Sequence, residues 1–334
     1  MSRLLKATFD CEVITPMFLG DYTGNKAEMR IPPLRAEMRF WLRAILGSIL
    51  NQDVYKTARI EQLIMGGTFE NAHQSNIHLR LLRAKSTLQF GSKPMLPHKM
   101  GRGVANKNAI LPDSKFSVEI RSLKGKHAIK DKNGNLTGYV NRNDLFDISI
   151  SLFKLTSFLG SIGQRSNRGF GSFSIVQSSI DSDHPEGHDI FHNLITNEIN
   201  SLRNMVEELI KSASAFSNYI SDFNFNGVSK WPILHPDCCR ISTGDKIDWD
   251  RFIKGLMQNI HNEMNTGKLA SKVLGGIMPR QGSTMKVSIV RIHEESRPVF
   301  VNFISKTKMS TTIRDFENIL EFPSKFHNAQ VIKL

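Results

Sequence analysis

The clearest periodicity in the chain runs over Ile31–Ile49. Leu34, Met38, Trp41, Leu42, Ile45 and Ile49 recur at steps of three and four, one apolar stripe on a helix. Pro32 and Pro33 open it; a first helical turn tolerates proline because the missing N–H would have no partner there. The stripe assigns Trp41 to the core. Beside it run Arg35, Arg39 and Arg43, each four residues after the last. Like charges at that spacing cost a helix about 0.2–0.5 kcal/mol per pair. Either a solvated face helped by Glu28 and Glu37 offsets that cost, or an anionic ligand does.

Other segments arrange themselves around this helix. Residues 3–14 alternate apolar and polar and read as a half-buried strand, ended by Thr15-Pro16. Residues 17–30 form a loop with Gly20 and Gly24. A short helix around Glu61 stops at Gly66-Gly67, and residues 77–83 alternate as a strand. Residues 90–113 read as one long loop carrying Lys93, His98, Lys99, Arg102 and Lys107, opposed only by Asp113; a loop of that length in a domain is usually functional or disordered. A strand over 116–123 precedes a hairpin over 124–139 that turns at Asn133-Gly134. Asn141 or Asn143 caps a helix over 144–159, whose stripe is Leu145, Ile148, Leu152, Leu155 and Leu159. A glycine–arginine loop over 160–171 leads to a strand over 173–177. Strand, helix, strands, helix, strand predicts an α+β unit: an antiparallel sheet with two helices on one face, ferredoxin-like or RRM-like, with long insertions.

Residues 181–189 are a candidate linker, dividing the chain into modules over 1–180 and 181–334. Beyond it, helices are expected over 191–211 and 248–264, the latter capped by Asp248 or Asp250. A weaker strand covers 231–241. A glycine-rich stretch with Arg280 covers 274–281, and alternating strands over 285–292 and 299–304 flank a turn at 294–298. These are loosely the ingredients of the first half again, although the halves do not align by identity.

Composition narrows the function. The 334 residues are 40% hydrophobic and 22% charged, values of a folded protein with a sizeable core. No run of about 18 apolar residues predicts a membrane span, and no signal peptide is expected at the N-terminus. Cys11, Cys238 and Cys239 make no disulfide framework, which fits reduced thiols in a cytoplasmic protein. Lys and Arg outnumber Asp and Glu by 44 to 31, a net charge of +13. Such a field favours polyanions. No basic amphipathic helix with exposed aromatic residues stands out, so nucleic acid is favoured over a membrane surface.

The segment from Leu159 to Gly171 is the strongest local signal. Gly160, Gly163, Gly169 and Gly171 permit positive φ and close backbone approach, and Arg165 and Arg168 add forked donors suited to phosphate. The loop follows a helix, so it is neither a P-loop nor a Rossmann turn, which precede one. Phe170 is equally suited to core or to base stacking. Catalytic signals are thin: neither HExxH nor GxSxG occurs. His188 and His192, near Asp181, Asp183, Glu186 and Asp189, have metal-ligand spacing, yet a solvated linker explains them as well. His98 beside Lys99 and Arg102 has the makings of a general acid–base in RNA cleavage, against a basic loop that merely touches phosphate. Asp21 is a third, weaker candidate, for a metal or a water. No cofactor and no metal are expected.

The glycine–arginine loop before a final strand, GSIGQRSNRGFGSF, resembles that of the RAMP superfamily of CRISPR proteins. Thr15-Pro16-Met17-Phe18-Leu19-Gly20, Glu28-Met29-Arg30, Arg39-Phe40-Trp41-Leu42-Arg43, Glu61 and Gly66-Gly67 follow the order seen in the first-numbered subunit of the type III-B (Cmr) RNA-silencing complex. The similarity is dense over 12–67 and 155–175. Leu34 and Ala36 stand where that family usually has glycine and a small residue, and Arg280-Gln281-Gly282-Ser283 is a loose version of a second-half element. The resemblance implies two tandem ferredoxin-like modules. It also implies a non-catalytic subunit at the head of the complex, near the 3′ end of the guide RNA, that helps capture target RNA alongside the other Cmr subunits. The expected ligand surface is a groove where Arg35, Arg39 and Arg43 meet Gly163, Arg165, Arg168 and Gly169, with Lys99 and Arg102 beside it. An endoribonuclease using His98 and a purely structural assembly subunit are the alternatives.

Overall fold

A computed structural model describes residues 4–70, 72–99, 106–180, 188–267, 271–274, 283–292, 295–306, 312–325 and 328–334. Its elements in the first half are β1 (Leu4–Val13), α1 (Ile31–Ile49), α2 (Val54–Met65), β2 (His78–Leu81), β3 (Phe90–Pro94), β4 (Asn106–Ile110), β5 (Lys115–Leu123), β6 (Lys126–Lys130), β7 (Leu136–Asn141), α3 (Arg142–Leu159) and β8 (Phe173–Ser178). The second half adds α4 (His188–Ser212), β9 (Cys239–Thr243), α5 (Trp249–Asn265), α6 (Ser271–Leu274), β10 (Met285–Ile292), β11 (Glu295–Phe303), α7 (Arg314–Glu321) and β12 (Gln330–Ile332).

The first sheet is antiparallel in the order β2-β5-β1-β8. Alternation along β1 sends Ala7, Phe9, Cys11 and Val13 to the core and Lys6, Thr8, Asp10 and Glu12 to the other face. Helices α1 and α3 cover the core face, with Trp41 fully buried as its stripe requires. Phe153 of α3 lies 4.8 Å from Phe9, and Phe116 lies 5.6 Å from Phe173. Asn141, not Asn143, caps α3: its side chain accepts from the Asn143 N–H.

The second sheet has the order β10-β11-β9-β12. Numbered along the chain within each sheet, both orders read second, third, first, fourth, and helices separate first from second and third from fourth strand in both. The two sheets differ in burial. Val299, Val301 and Phe303 of β11 point into the core shared with α1, α3 and α4. Phe300 points to the opposite side, where Phe252 of α5 and Phe316 of α7 pack. The second sheet is therefore covered on both faces, and the layers alternate sheet, helices, sheet, helices.

Several expectations shift. Residues 90–113 are not one structureless loop, since β3 and β4 pair as a hairpin from Phe90–Ile110 to Pro94–Asn106. Helix α2 starts at Val54, where Asp53 caps it, well before the expected turn. The weak strand over 231–241 is displaced to Cys239–Thr243, and residues 295–298 belong to β11 rather than to a turn. The candidate linker lies mostly outside the described residues, and α4 packs back on α3 and α1.

Candidate nucleic-acid interface

Three loops converge beside the end of β1. Residues 17–28 form the middle one: Gly20 bridges Ala27, and the Asp21 N–H donates to the Lys26 carbonyl at 2.8 Å. The β3–β4 hairpin flanks it, tied on by the Met17–Ile110 bridge and by Asn108 Nδ2 donating to the Asn25 carbonyl at 2.8 Å. The glycine–arginine loop flanks it on the other side through the Phe18–Gln164 bridge, and Lys107 Nζ of the hairpin reaches Gln164 Oε1 at 2.9 Å. Lys93 and Lys107 lie directly opposite each other across the hairpin.

The glycines of the loop serve packing. Gly171 has φ +76°, and a Cβ there would sit 1.9 Å from the Ile162 carbonyl oxygen. Gly163 has φ +103° and its Cβ would meet the Phe18 carbonyl oxygen at 2.9 Å. Gly169 is buried; its N–H donates to the Val287 carbonyl of β10 at 3.0 Å, and its own carbonyl accepts from the Thr15 hydroxyl at 2.7 Å. Phe170 is 3% exposed and stacks edge-on against Phe18 at 5.1 Å. It is a core residue, not a free stacking surface. The loop is thus wedged between the two sheets, and only its tip around Gln164 and Arg165 faces solvent.

The expected arginines divide into two kinds. Arg39 Nη1 pairs with Glu61 at 2.5 Å, and its Nη2 donates to the Met65 and Gly66 carbonyls at 2.8 and 2.5 Å. These bonds close the C-terminal end of α2 against α1, where unpaired helix carbonyls need donors. Arg168 is similarly occupied: it donates to the carbonyls of Asn167 and Leu274 and to Ser283 Oγ, at 3.0, 2.9 and 3.2 Å. Burial, with Arg165 nearby, lowers its pKa to about 10, so it stays charged at neutral pH. Both are braces, a role that the expected common groove did not include. Arg35 and Arg165 have no side-chain partner among the described residues. Arg35 is half-buried, and desolvation with Arg39 alongside depresses its pKa. Arg165 is exposed, at φ +62° on the loop tip. Arg43 is intermediate, half exposed with Nε 3.2 Å from Glu61.

Lys99 ends a short turn, Pro97–Lys99, that rests on α5. Its neighbour His98 lies 5.6 Å, ring to ring, from His261 of α5. Burial, then His261, Lys99 and Arg165, depress the His98 pKa, so its imidazole is neutral at pH 7. Arg102 lies outside the described residues. Other chemical candidates are accounted for by packing. The Asp21 carboxylate accepts from Thr23 Oγ1 and the Asn25 N–H, closing its own turn, and the Thr23 bond leads in lowering its pKa. His192 hydrogen-bonds Thr243 on β9. Among the described residues no group of three His, Cys, Asp or Glu side chains is placed to hold a metal ion.

Base stacking on the sheet, the RRM mode, has no platform here. The outer face of β1 and β5 carries Lys6, Thr8, Asp10, Ser117, Glu119 and Arg121, with Lys6 2.8 Å from Glu119. Among the described residues, the one fully displayed aromatic ring is elsewhere: Tyr22, 95% exposed in the middle loop. Periodicity did not single it out, although its setting between Gly20 and Gly24 marks a tight turn with an unpartnered ring at the tip.

Fold and loop define a class. Residues 10–174 match the RAMP superfamily, and the resemblance read from the sequence stands over that stretch. The chain is similar to the CRISPR system Cmr subunit Cmr1-1 of Pyrococcus furiosus, 28% identical over 185 residues, 51% of this chain and 48% of that one. It is also similar to Cmr1-2 of the same organism, 29% identical over 65 residues, 20% and 35% of the two chains. The chain thus matches about half the length of the first relative and about a third of the second. Among solved structures, apo Cmr1 from Pyrococcus furiosus superposes with a TM-score of 0.61 at 18% identity, over 98% of both chains. A chain of the type III-B Cmr-beta complex bound to cognate target RNA superposes with 0.59 at 10% identity, over 96% and 98%. These likenesses establish a shared mixed fold of helices and antiparallel sheets.

Proposed function

We propose that this chain is an RNA-binding, non-catalytic subunit of a type III-B CRISPR effector complex, acting near the 3′ end of the guide RNA and in the capture of target RNA. It works in the cytoplasm with guide RNA, target RNA and the other Cmr subunits as partners. Two tandem ferredoxin-like modules, over 1–180 and 181–334, carry it, and the repeated strand order supports that division. The observation that carries the reading is the three-loop surface. Lys26, Lys93, Lys107, Lys99 and Arg165 lie on these loops; of the acids in the middle one, Asp21 is engaged in its own turn and Glu28 lies 3.8 Å from Arg83. Arg35 and Arg43 extend the positive field onto α1. Phosphate contacts of this kind give affinity that falls steeply with salt.

A salt titration tests the proposal on the chain assembled with its partner subunits and single-stranded RNA. Each phosphate contact removed lowers the log–log slope by roughly 0.7. Arg35→Ala/Arg165→Ala is expected to flatten it by more than one such step. A slope unchanged in that variant, or no RNA binding that depends on this subunit, overturns the reading.

A further inference from the structure

The middle loop holds its tyrosine outward at a cost. An exposed aromatic ring forgoes burial that would stabilise the fold. Yet the residues around Tyr22 are organised to keep it there. Asp21 accepts from Thr23 Oγ1 at 2.7 Å and from the Asn25 N–H at 3.1 Å, and its own N–H donates to Lys26. The Gly24 N–H donates back to the Asp21 carbonyl at 3.1 Å, with Gly24 at φ +76°. Neighbouring loops hold the turn from both sides, through Asn108 on one and Gln164 on the other. The ring is 95% exposed on a turn that is fixed at both ends. Cations sit on the same turn and on the two loops tied to it: Lys26 in the turn, Lys107 and Lys93 on the hairpin and Arg165 on the glycine loop. The sheet face that stacks bases in an RRM carries salt bridges here instead.

We infer that Tyr22 is a base-stacking residue, taking one unpaired RNA base on its ring while the lysines and arginine around it hold the flanking phosphates. The inference rests on the RNA-binding reading above and adds a contact of a different physical kind. A turn whose backbone is already held loses little further freedom when its ring stacks, and any base offers a π-face, so the contact is tolerant of sequence. A protein partner would also accept an exposed tyrosine. The surplus of cations over acids on the three loops favours a polyanion with flat rings.

The test uses the full chain in its assembled complex and compares Tyr22→Ala, Tyr22→Phe and Arg165→Ala on one single-stranded RNA. Stacking losses on alanine substitution correspond to about fivefold or more in affinity. Tyr22→Ala is expected to weaken binding by about that much with its salt slope unchanged, and Tyr22→Phe to bind as the parent does. Scanning single abasic substitutions along the RNA should find one position where the Tyr22→Ala loss disappears. Parental affinity in Tyr22→Ala, while Arg165→Ala flattens the slope, overturns the stacking role and leaves the RNA-binding reading standing. Failure of the complex to retain the Tyr22→Ala subunit assigns the ring to a protein neighbour and likewise overturns it. Absence of RNA binding that depends on the parent subunit overturns both.

Discussion

Helix α1 and the glycine–arginine loop each present a short series of arginines, and each series divides in the same way. In α1, Arg39 closes on Glu61 and two carbonyls, while Arg35, one turn earlier, has no partner among the described residues. In the loop, Arg168 closes on Leu274, Asn167 and Ser283, while Arg165, three residues earlier, faces solvent. What separates a brace from a free cation is whether backbone carbonyls converge within reach of the guanidinium fork. At Met65–Gly66 they do, because α2 ends there and leaves its last carbonyls unbonded; at Arg168 the Asn167 and Leu274 carbonyls and Ser283 Oγ lie within reach. A guanidinium with five donors is suited to that task, and a lysine is not.

The comparison can be sharpened at the contact that locks α1 to the second sheet. Glu37 pairs with Lys286 of β10 at 2.5 Å, both about nine-tenths buried, and the Lys286 ammonium lies 4.2 Å over the Phe40 ring. Removing one partner of a buried pair costs about 3–5 kcal/mol. Lys286→Met is therefore expected to lower the urea midpoint the most, and adding Glu37→Gln to recover part of the loss. A midpoint equal to the parent's would show that the helix–sheet seam does not depend on this pair.

The next effect separates the arginines themselves. Arg39→Ala and Arg168→Ala each remove charge-assisted bonds to buried acceptors and should destabilise by about 2 kcal/mol. Arg35→Ala and Arg165→Ala should stay within about 0.5 kcal/mol and act on RNA affinity instead. Equal unfolding midpoints for all four variants would erase the distinction between braces and free cations.

The smallest effect concerns pH. His98 is held below the usual histidine range by burial and by His261, Lys99 and Arg165. Depressed folded pKa means the unfolded chain takes up its proton first, so this group's contribution to stability is lost as pH falls through the ordinary value toward the folded one. A bound phosphate reverses the balance by favouring the charged ring. RNA affinity should rise a few-fold, on the order of one charge contact, between pH 7.5 and 5.5, and His98→Asn should flatten the rise. RNA cleavage that disappears in His98→Asn would instead point to the acid–base role.

Much of the first half of the chain was legible because its elements are long and strictly periodic. Strand β1 buries one face, and the apolar stripes of α1 and α3 are buried along their length. The second half was less so. Its sheet is buried on both faces, which blurs alternation over Val299–Phe303. Trp231, Ile233 and Leu234 are apolar, but Pro232 and Pro236 among them disfavour a ladder, and β9 forms just after. Helix α7 has few apolar residues, essentially Phe316, Ile319 and Leu320, and β12 only three residues in all. At the candidate site, sequence alone collected the basic residues but did not sort them. Sorting depends on acceptors as far as 22 to 115 residues away along the chain, which no local pattern encodes. Phe170, flanked by glycines, carried no sign of which way its ring turns; the wedge between the sheets buries it.

The three cysteines acquire a meaning from the layered packing. Cys11 and Cys239 lie in the core around α1 and α3, and Cys238 in the core around α5 and α7. Burial lifts the thiols of Cys11 and Cys239 well above their ordinary range and pushes Cys238 up to about 12. Thiolate, the reactive form, is nearly absent from the folded chain. Cys238 and Cys239 are adjacent in sequence but sealed behind different layers. Opening the outer layer exposes one, and parting the inner layer exposes the other, so two neighbouring sulfur atoms report separately on the two cores.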